Sequence, residues 1–514
     1  MEKNDQLKKK LYCRGFLITN DVSVNTITYP FFSAWKVRTV GKYSVIAHPS
    51  AHEYSVQNDM AAVGLIGHAY NPITGDVDES DILQQLLDVV DDRGRFWGLV
   101  NQLTGVFVIY IIENDTVTVF CDAVGLQSVF CCANGGNCYF SSHSNLIGDL
   151  LGLEEDPRVT ELKKCRTFHY FGNQLPGNIT QFSIVRRLVP NHYALYNNGI
   201  LAQFRFYHPR CSDISLDEIC DRLTEILKKT MNMIPKKWNR PAISLTGGCD
   251  SKTTLACASE SYDKYICFSY DSQPNEAPDA EAAEKIAAAV GIPFKFYKIS
   301  YDDKDFADIE DCRAVLSWNG GNVRENNRND VRKRVFFDSV DDFDIEVKSW
   351  VSEIGRARYS KRYNGKKSFG KKPTPRKCTT FYKFFLNRRA VNLSDSIFRE
   401  YLKNFSDMDD TSSVPWQDRF YWEWHWPSRD GLCLTAEQQY AYDITVPYNN
   451  RIILELLLSV PEQMRIDDTV YTMIRTRLDP RIDEVAATIV DVNHTKKRAF
   501  FELLYYYFNQ WLPY

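Results

Sequence analysis

The chain has 514 residues, 44% of them hydrophobic and 25% charged, enough to bury the interiors of two or three domains and to exclude a disordered protein. A net charge of −4 argues against a surface built throughout to hold nucleic acid. Fourteen scattered cysteines, without a CxxC pair or a His/Cys cluster at zinc spacing, argue against a disulfide scaffold and fit a reducing compartment.

Met1–Lys10 is charged, and apolar runs such as Gly105–Ile112 are far too short to cross a bilayer, so a cytoplasmic protein outside the membrane is expected. His48 and His52 stand at i,i+4, but Pro49 lies between them; they read as surface or core histidines and not as metal ligands. From about Leu11 to Tyr207, β-rich runs (Val106–Ile112, Val117–Cys121, Cys138–Ser141) alternate with Asn/Gly turns, the pattern of a layered sheet domain. From Ser215 the apolar period becomes helical, at Ile219, Leu223, Ile226 and Leu227. A domain boundary is therefore expected near residue 208, dividing the chain into 1–207 and 208–514.

Within the second part, Pro241–Leu245 reads as a buried strand that runs into Thr246-Gly247-Gly248-Cys249-Asp250-Ser251 and then a helix, Lys252–Ser259. Two glycines let the backbone approach phosphate oxygens, and the N–H groups of a helix start, aided by the Thr246 and Ser251 hydroxyls, attract an anion. Asp250 is then suited to hold Mg²⁺. Tyr265–Tyr270 follows as a strand, Asp279 as the cap of a helix Ala280–Val290 ended by Gly291, and Phe294–Ile299 as a third strand. In such a βαβαβ unit ATP is expected across Leu245–Ser251, with Phe268, Ser269 and Tyr270 beside its base. The loop is not a Walker A loop, which requires GxxxxGK[ST].

Arg356–Lys377 carries ten Lys/Arg and no acid, and Gly365, Gly370, Pro373 and Pro375 break any regular element. A mobile loop is expected there, either solvated or closing over an anion. Trp416, Tyr421, Trp422, Trp424 and Trp426 are expected in the core. Beyond Asp395 helices should dominate, among them Arg451–Val460 and Arg498–Trp511.

The Thr246–Ser251 loop resembles the SGGxDS signature of the N-type ATP pyrophosphatases. Gly67-His68-Ala69-Tyr70-Asn71, Gly105-Val106-Phe107, Asp122-Ala123-Val124-Gly125 and Phe140-Ser141-Ser142 follow the order of the amidotransferase-like domain of asparagine synthetases. Asp443 with Val446-Pro447-Tyr448, then Lys497-Arg498-Ala499-Phe500, resemble that family's ExRxPFLD and KxGF motifs. The family includes β-lactam synthetases and lasso-peptide cyclases, which adenylate a carboxylate and let an amine displace AMP. The resemblance implies an α/β chain: an Ntn-type amidotransferase-like β-sandwich with flanking helices, then a parallel-sheet synthetase domain of the adenine-nucleotide α-hydrolase type.

Three departures qualify what carries over. Glutamine-hydrolysing members begin Met-Cys, whereas the second residue here is Glu2, so nitrogen should come from an amine other than glutamine-derived ammonia; Cys13-Arg14-Gly15-Phe16 offers an alternative, a cysteine exposed by processing. Where the family reads SGxGxDE, this chain has Ser349-Trp350-Val351-Ser352-Glu353, with Ser352 in place of the metal-binding Asp; Glu353 is left to take the metal and Arg356 to neutralise pyrophosphate. At the acid/base position Glu346 is the nearest candidate, and Lys497 matches the lysine that stabilises the amide-forming transition state.

The expected enzyme is thus a carbon-nitrogen ligase using ATP and Mg²⁺, with Lys497, Glu353 and Glu346 catalytic, and Asp250 and Glu353 on the metal. Its partners would be a small-molecule or peptide carboxylate and an amine; a homo-oligomer is compatible with the sequence. A nucleotide-binding protein without turnover is the competing reading, motivated by Ser352 and the missing terminal cysteine.

Overall fold

A computed structural model of the chain describes residues 8–169, 172–274, 276–322, 328–366, 368–404, 414–485 and 496–511; Glu2 lies outside them. Two six-stranded antiparallel sheets come first. One consists of β1 (Phe16–Thr19), β2 (Lys36–Val40), β3 (Tyr43–Ala47), β8 (Phe130–Asn134), β9 (Asn137–Ser141) and β10 (Arg186–Arg187), in the order β10-β8-β9-β1-β3-β2. The other consists of β4 (Glu53–Gln57), β5 (Ala62–Tyr70), β6 (Thr104–Glu113), β7 (Thr116–Cys121), β11 (His192–Asn197) and β12 (Ile200–Arg205), in the order β12-β11-β7-β6-β5-β4.

Strand alternation explains why these two sheets stack. Phe16, Ile18 and Val45 of the first sheet meet Ile66, Val108, Tyr110 and Val119 of the second in one core. The opposite faces are also covered: Leu65, Phe107 and Ile109 pack under Ile82 and Leu83 of the helix Glu79–Asp88, and Leu17 and Ile46 pack under Leu146 and Ile147 of Ser144–Leu151. Burial on both faces is the reason β6 reads as a continuous apolar run and not as alternation.

The third sheet is parallel: β13 (Pro241–Ser244), β14 (Ile266–Asp271), β15 (Phe294–Lys298), β16 (Ile345–Val347) and β17 (Ile444–Thr445), in the order β15-β14-β13-β16-β17. The chain thus has the mixed α/β architecture expected of it, a helix-flanked antiparallel sandwich followed by a parallel sheet. From β13 the chain moves outward to β14 and β15, then returns to place β16 on the other side of β13. That reversal opens a crevice at the carboxyl ends of β13 and β16, where ligands bind in open parallel sheets.

The two parts share buried polar contacts. Asn449 Nδ2 donates to the Gly105 carbonyl (2.6 Å) and its Oδ1 accepts the Val124 N–H (3.1 Å). Arg451 Nε donates to Asn191 Oδ1 (2.9 Å), and the Arg205 guanidinium meets the fully buried Glu423 carboxylate at 2.6 and 2.9 Å. Among the described residues no helix is long and apolar enough to cross a membrane.

The basic segment is a loop over part of its length. Arg356–Lys377 is a loop only in its middle: it begins with the helix Arg358–Arg362 and ends in the start of Pro375–Tyr382, and Tyr359, Tyr363 and Phe369 are buried against Phe381, while most of the other described residues between the helices are exposed. Its aromatic residues, spaced among the cations, supply the apolar area that a solvated charge run lacks. Trp416, Tyr421, Trp422, Trp424 and Trp426 are core residues.

Candidate active site

Thr246–Ser251 leaves β13 at the crevice and turns into the helix Cys249–Cys257, which starts without a side-chain cap. An uncapped start leaves its first N–H groups without a side-chain cap, the arrangement that receives anions. The loop is braced from within: the Thr246 and Ser251 hydroxyls are 2.9 Å apart, Ser251 Oγ accepts the Thr246 N–H (3.1 Å), and Thr246 Oγ1 accepts the Gly248 N–H (3.1 Å). Behind it, buried Lys252 pairs with Asp483 (2.7 Å), and Arg475 bonds both Asp483 (2.8 Å) and Thr253 Oγ1 (2.9 Å), fixing the helix on the C-terminal helices.

The loop forms one wall of a cavity of about 330 Å³, within the range of small-molecule sites. Thr246, Gly248, Asp250, Ser251, Phe268, Ser269, Tyr270 and Glu353 all line it, so most of the expected nucleotide residues are brought together. The Phe268 ring, however, stacks on Phe343 (centroids 5.1 Å apart) and is fully buried, so it is a core ring and not a platform for a base.

The lining also includes Lys348, Glu276 and Asp279, none of them expected at the site, and Trp350 of the loop expected to take pyrophosphate. Lys348 and Trp350 follow β16 directly, with Lys348 Nζ 5.3 Å from the centre of the Trp350 ring. Position alone could have found them, since they start the loop at a carboxyl strand end next to β13. Glu276 and Asp279 stand at the other end. Asp279 does not cap its helix, which spans Ala277–Val290; its Oδ1 accepts the Gly247 N–H (3.3 Å), and burial pushes its carboxyl pKa up. The cleft therefore has carboxylates near Gly247 and a lysine opposite.

The loop after β16 holds Val351 at φ +78°, a left-handed conformation that a β-branched residue adopts only under constraint. Tyr471 donates to the Ser352 carbonyl (2.7 Å) and holds that turn, with Ser352 Oγ 2.9 Å from the Ser349 carbonyl oxygen. It delivers Ser352 and Arg356 to Asp250. Ser352 Oγ donates to Asp250 Oδ1 (2.8 Å) and Arg356 Nη1 to Asp250 Oδ2 (2.6 Å), while Arg356 also grips Asp468 through Nε (2.8 Å) and Nη2 (2.7 Å). Burial opposes the charge on Arg356, but Asp468 and Asp250 outweigh it and raise its pKa. Burial likewise opposes the Asp468 carboxylate, but Arg356 and Lys361 hold its pKa below the ordinary value.

These contacts bear on the metal assignment. Mg²⁺ takes six oxygens in near-octahedral array, one or two from carboxylates and the rest from water and phosphate. Both oxygens of Asp250 are engaged by Ser352 and Arg356, and the residue where a second carboxylate was sought is Ser352, a hydroxyl. Among the described residues no group of three or more His, Cys, Asp or Glu side chains is placed to hold a metal. A Mg²⁺ held between Asp250 and Glu353 would have to displace Ser352 or Arg356 from Asp250.

Two catalytic candidates stand elsewhere. Glu346 is fully buried on β16 with its carboxylate 2.5 Å from Lys348 Nζ, outside the cleft lining; it positions Lys348. Lys497 lines a separate cavity with Phe384, Phe501 and Tyr505, whereas its neighbour Lys496 lines a cavity that Glu353 and Arg356 share. Consecutive residues of a helix project about 100° apart, so one step along the chain changes the cavity faced.

In the antiparallel part, Cys13 lies inside the chain. Burial raises its thiol pKa, which disfavours a thiolate. The preceding Tyr12 is fully buried, its N–H bonded to Asn319 Oδ1 (2.8 Å), and His48 is 2.9 Å from the Lys9 carbonyl. Arg14 pairs with Asp443 at 3.4 Å. A cut before Cys13 would remove the contacts of Tyr12 and Lys9.

No family model matches the chain, and no curated protein is significantly similar to it in sequence. Similar solved structures include the glutamine phosphoribosylpyrophosphate amidotransferase of B. subtilis complexed with ADP and GMP, at 12% identity over 57% of this chain and 61% of that one, with a TM-score of 0.23. They also include a glutamine-dependent NAD⁺ synthetase from Acinetobacter baumannii in complex with ADP, at 14% identity, 35% and 36% coverage and a TM-score of 0.18. A U34-tRNA thiolase from Methanococcus maripaludis with its 4Fe-4S cluster is similar at 10% identity, 60% and 90% coverage and a TM-score of 0.24. The chain spans less than two thirds of the length of the first of these.

Proposed function

We propose that the chain is an ATP-dependent ligase that adenylates a carboxylate and passes the acyl group to an amine. The observation that carries this reading is the uncapped helix start of Thr246–Ser251 at the reversal point of a parallel sheet, faced by Lys348 and Arg356 from the loop after β16. In the first step a substrate carboxylate oxygen attacks the α-phosphorus of ATP and the bond to the bridging oxygen breaks, giving acyl-AMP and pyrophosphate. In the second an amine attacks the acyl carbon, AMP leaves, and the amine proton passes to solvent. The helix N–H groups hold the phosphates, and Lys348 and Arg356 are fixed cations beside the charge that develops, so positioning and electrostatics supply the rate. Mg²⁺ that accompanies ATP adds charge neutralisation, and no step here depends on a protein ligand to it.

The amine is not glutamine-derived ammonia on this reading, because Cys13 is internal and its thiol is kept protonated by burial. Carboxylate-dependent exchange of labelled pyrophosphate into ATP tests the proposal: exchange with a subset of acids, abolished by Asp250→Ala, is the expected result, and no exchange with any acid overturns it. A second reading, nucleotide binding without turnover, is favoured by the engagement of both Asp250 oxygens. A tight ATP complex that releases no AMP under any mixture of acid and amine would select it.

A further inference from the structure

The last described helix, Lys496–Trp511, is packed on one side only. Tyr506 and Asn509 are buried beneath it, whereas Phe500, Phe501, Leu504, Phe508 and Trp511 stand in solvent, Trp511 at 85% exposure and the three phenylalanines at 50% or more. At about 100° per residue, these five and Lys497 fall within an arc of about 100°, so they form one continuous stripe. Phe384 widens it, with its ring centre 4.2 Å from that of Tyr505, and Leu386 beyond it is also exposed. An apolar surface of this extent marks an interaction site and not scattered single residues.

The charge around the stripe has one sign. Lys496, Lys497 and Arg498 open the helix, Lys366 Nζ donates to the Tyr507 hydroxyl (2.9 Å) on its flank, and exposed Arg388 follows Leu386. The only acid of the helix, Glu502, is taken up by Arg362 (2.5 Å) and Arg498 (3.1 Å), while Lys496 and Lys497 pair with no acid among the described residues. A second copy seated here about a two-fold axis would set this cationic rim against itself. Single-stranded nucleic acid is held in a basic groove along which its bases stack, whereas this stripe is the outer side of one helix. Aromatic residues on one face with lysines beside them suit the boundary of an anionic bilayer, where rings sink between headgroups and acyl chains and ammonium groups reach phosphate.

We propose that this face lies on a membrane surface of anionic phospholipid, with the helix in the plane of the bilayer and Lys366, Lys496 and Lys497 on lipid phosphate. The test is co-sedimentation of the full chain, at low salt, with vesicles of equal parts phosphatidylcholine and phosphatidylglycerol, and with vesicles of phosphatidylcholine alone. Three lysines at an anionic surface should favour the mixed vesicles by more than about tenfold. Phe501→Ser with Phe508→Ser should weaken binding to them by about tenfold or more. Lys496→Glu with Lys497→Glu should remove the preference for anionic lipid. Trp511→Ser, at the most exposed position of the stripe, should also weaken binding and serves where a double variant fails to fold. Equal binding to both kinds of vesicle, or binding indifferent to these substitutions, overturns the proposal. So does a protein that leaves vesicles unbound and forms a dimer that Phe501→Ser with Phe508→Ser abolishes, or one that takes up polyuridylate in place of vesicles.

Discussion

Asp250 is shared between a hydroxyl and a guanidinium, and that sharing sets what the cleft demands of a cation. A carboxylate already neutralised by Arg356 gains little from Mg²⁺, since inserting the ion would first break the 2.6 Å contact. ATP-analogue affinity should therefore change by less than about threefold between excess Mg²⁺ and EDTA. Ser352→Asp combined with Arg356→Gln restores a pair of carboxylates and removes the competing cation, so affinity should become dependent on Mg²⁺ by more than about tenfold, roughly 1.4 kcal/mol. Calorimetric titration of both proteins checks this; a wild-type protein that loses tenfold or more in EDTA would contradict the account. Asp250 could be picked out from the sequence because strand, glycine turn and helix are contiguous there. Asp468 and Lys348 could not: Asp468 reaches Arg356 across 112 residues, and Lys348 shows its use only once β16 is seen beside β13.

Between Arg356 and Lys377, charge composition and the packed structure point in opposite directions, and the aromatic residues decide between them. Phe381 stacks on Tyr359 (4.0 Å, 17° between planes), on Tyr363 and on Trp416 (5.3 Å, 9°), and lies edge-on to Phe369. This cluster carries Arg358 and Lys361 on its helix, so these cations are positioned by apolar packing behind them. Phe381→Ala should cost about 3–5 kcal/mol, with a lowered denaturant midpoint. A change under about 1 kcal/mol would mean the segment orders itself without the cluster. The helix patterns at Arg451–Ser459 and Lys496–Trp511 were readable because each has a clear period, whereas Trp416–Ala441 was not. There Pro427 and Gly431 interrupt the pattern, and the chain continues as a widened helical winding over Tyr421–Leu434.

Joining the sandwich to the parallel-sheet part is a matter of buried polar groups, and these make the whole molecule sensitive to acid. Trp422 Nε1 donates to the Ala123 carbonyl (2.7 Å), Trp424 Nε1 to the Gly177 carbonyl (2.9 Å), and the Glu423 between them takes Arg205 from β12 and Asn191 Nδ2 (3.0 Å). Burial alone would raise the Glu423 pKa, but Arg205 more than offsets it and the value falls to about 2, against an ordinary 4.5. A depressed folded-state pKa means that the pair contributes fully above the ordinary value and is lost as pH falls from about 4.5 toward 2, an effect on the order of 3 kcal/mol. Denaturant midpoints should therefore drop across that window. Glu423→Gln should flatten this part of the slope and, by leaving a buried guanidinium without its carboxylate, destabilise the protein at pH 7 by about 3–5 kcal/mol. Replacing both Glu423 and Arg205 with methionine should cost less than either single change, because neither buried charge is then left alone. A double variant as unstable as the sum of the singles would show that the two residues act separately, and that the contacts of Asn449 and Arg451 hold the two parts together without them.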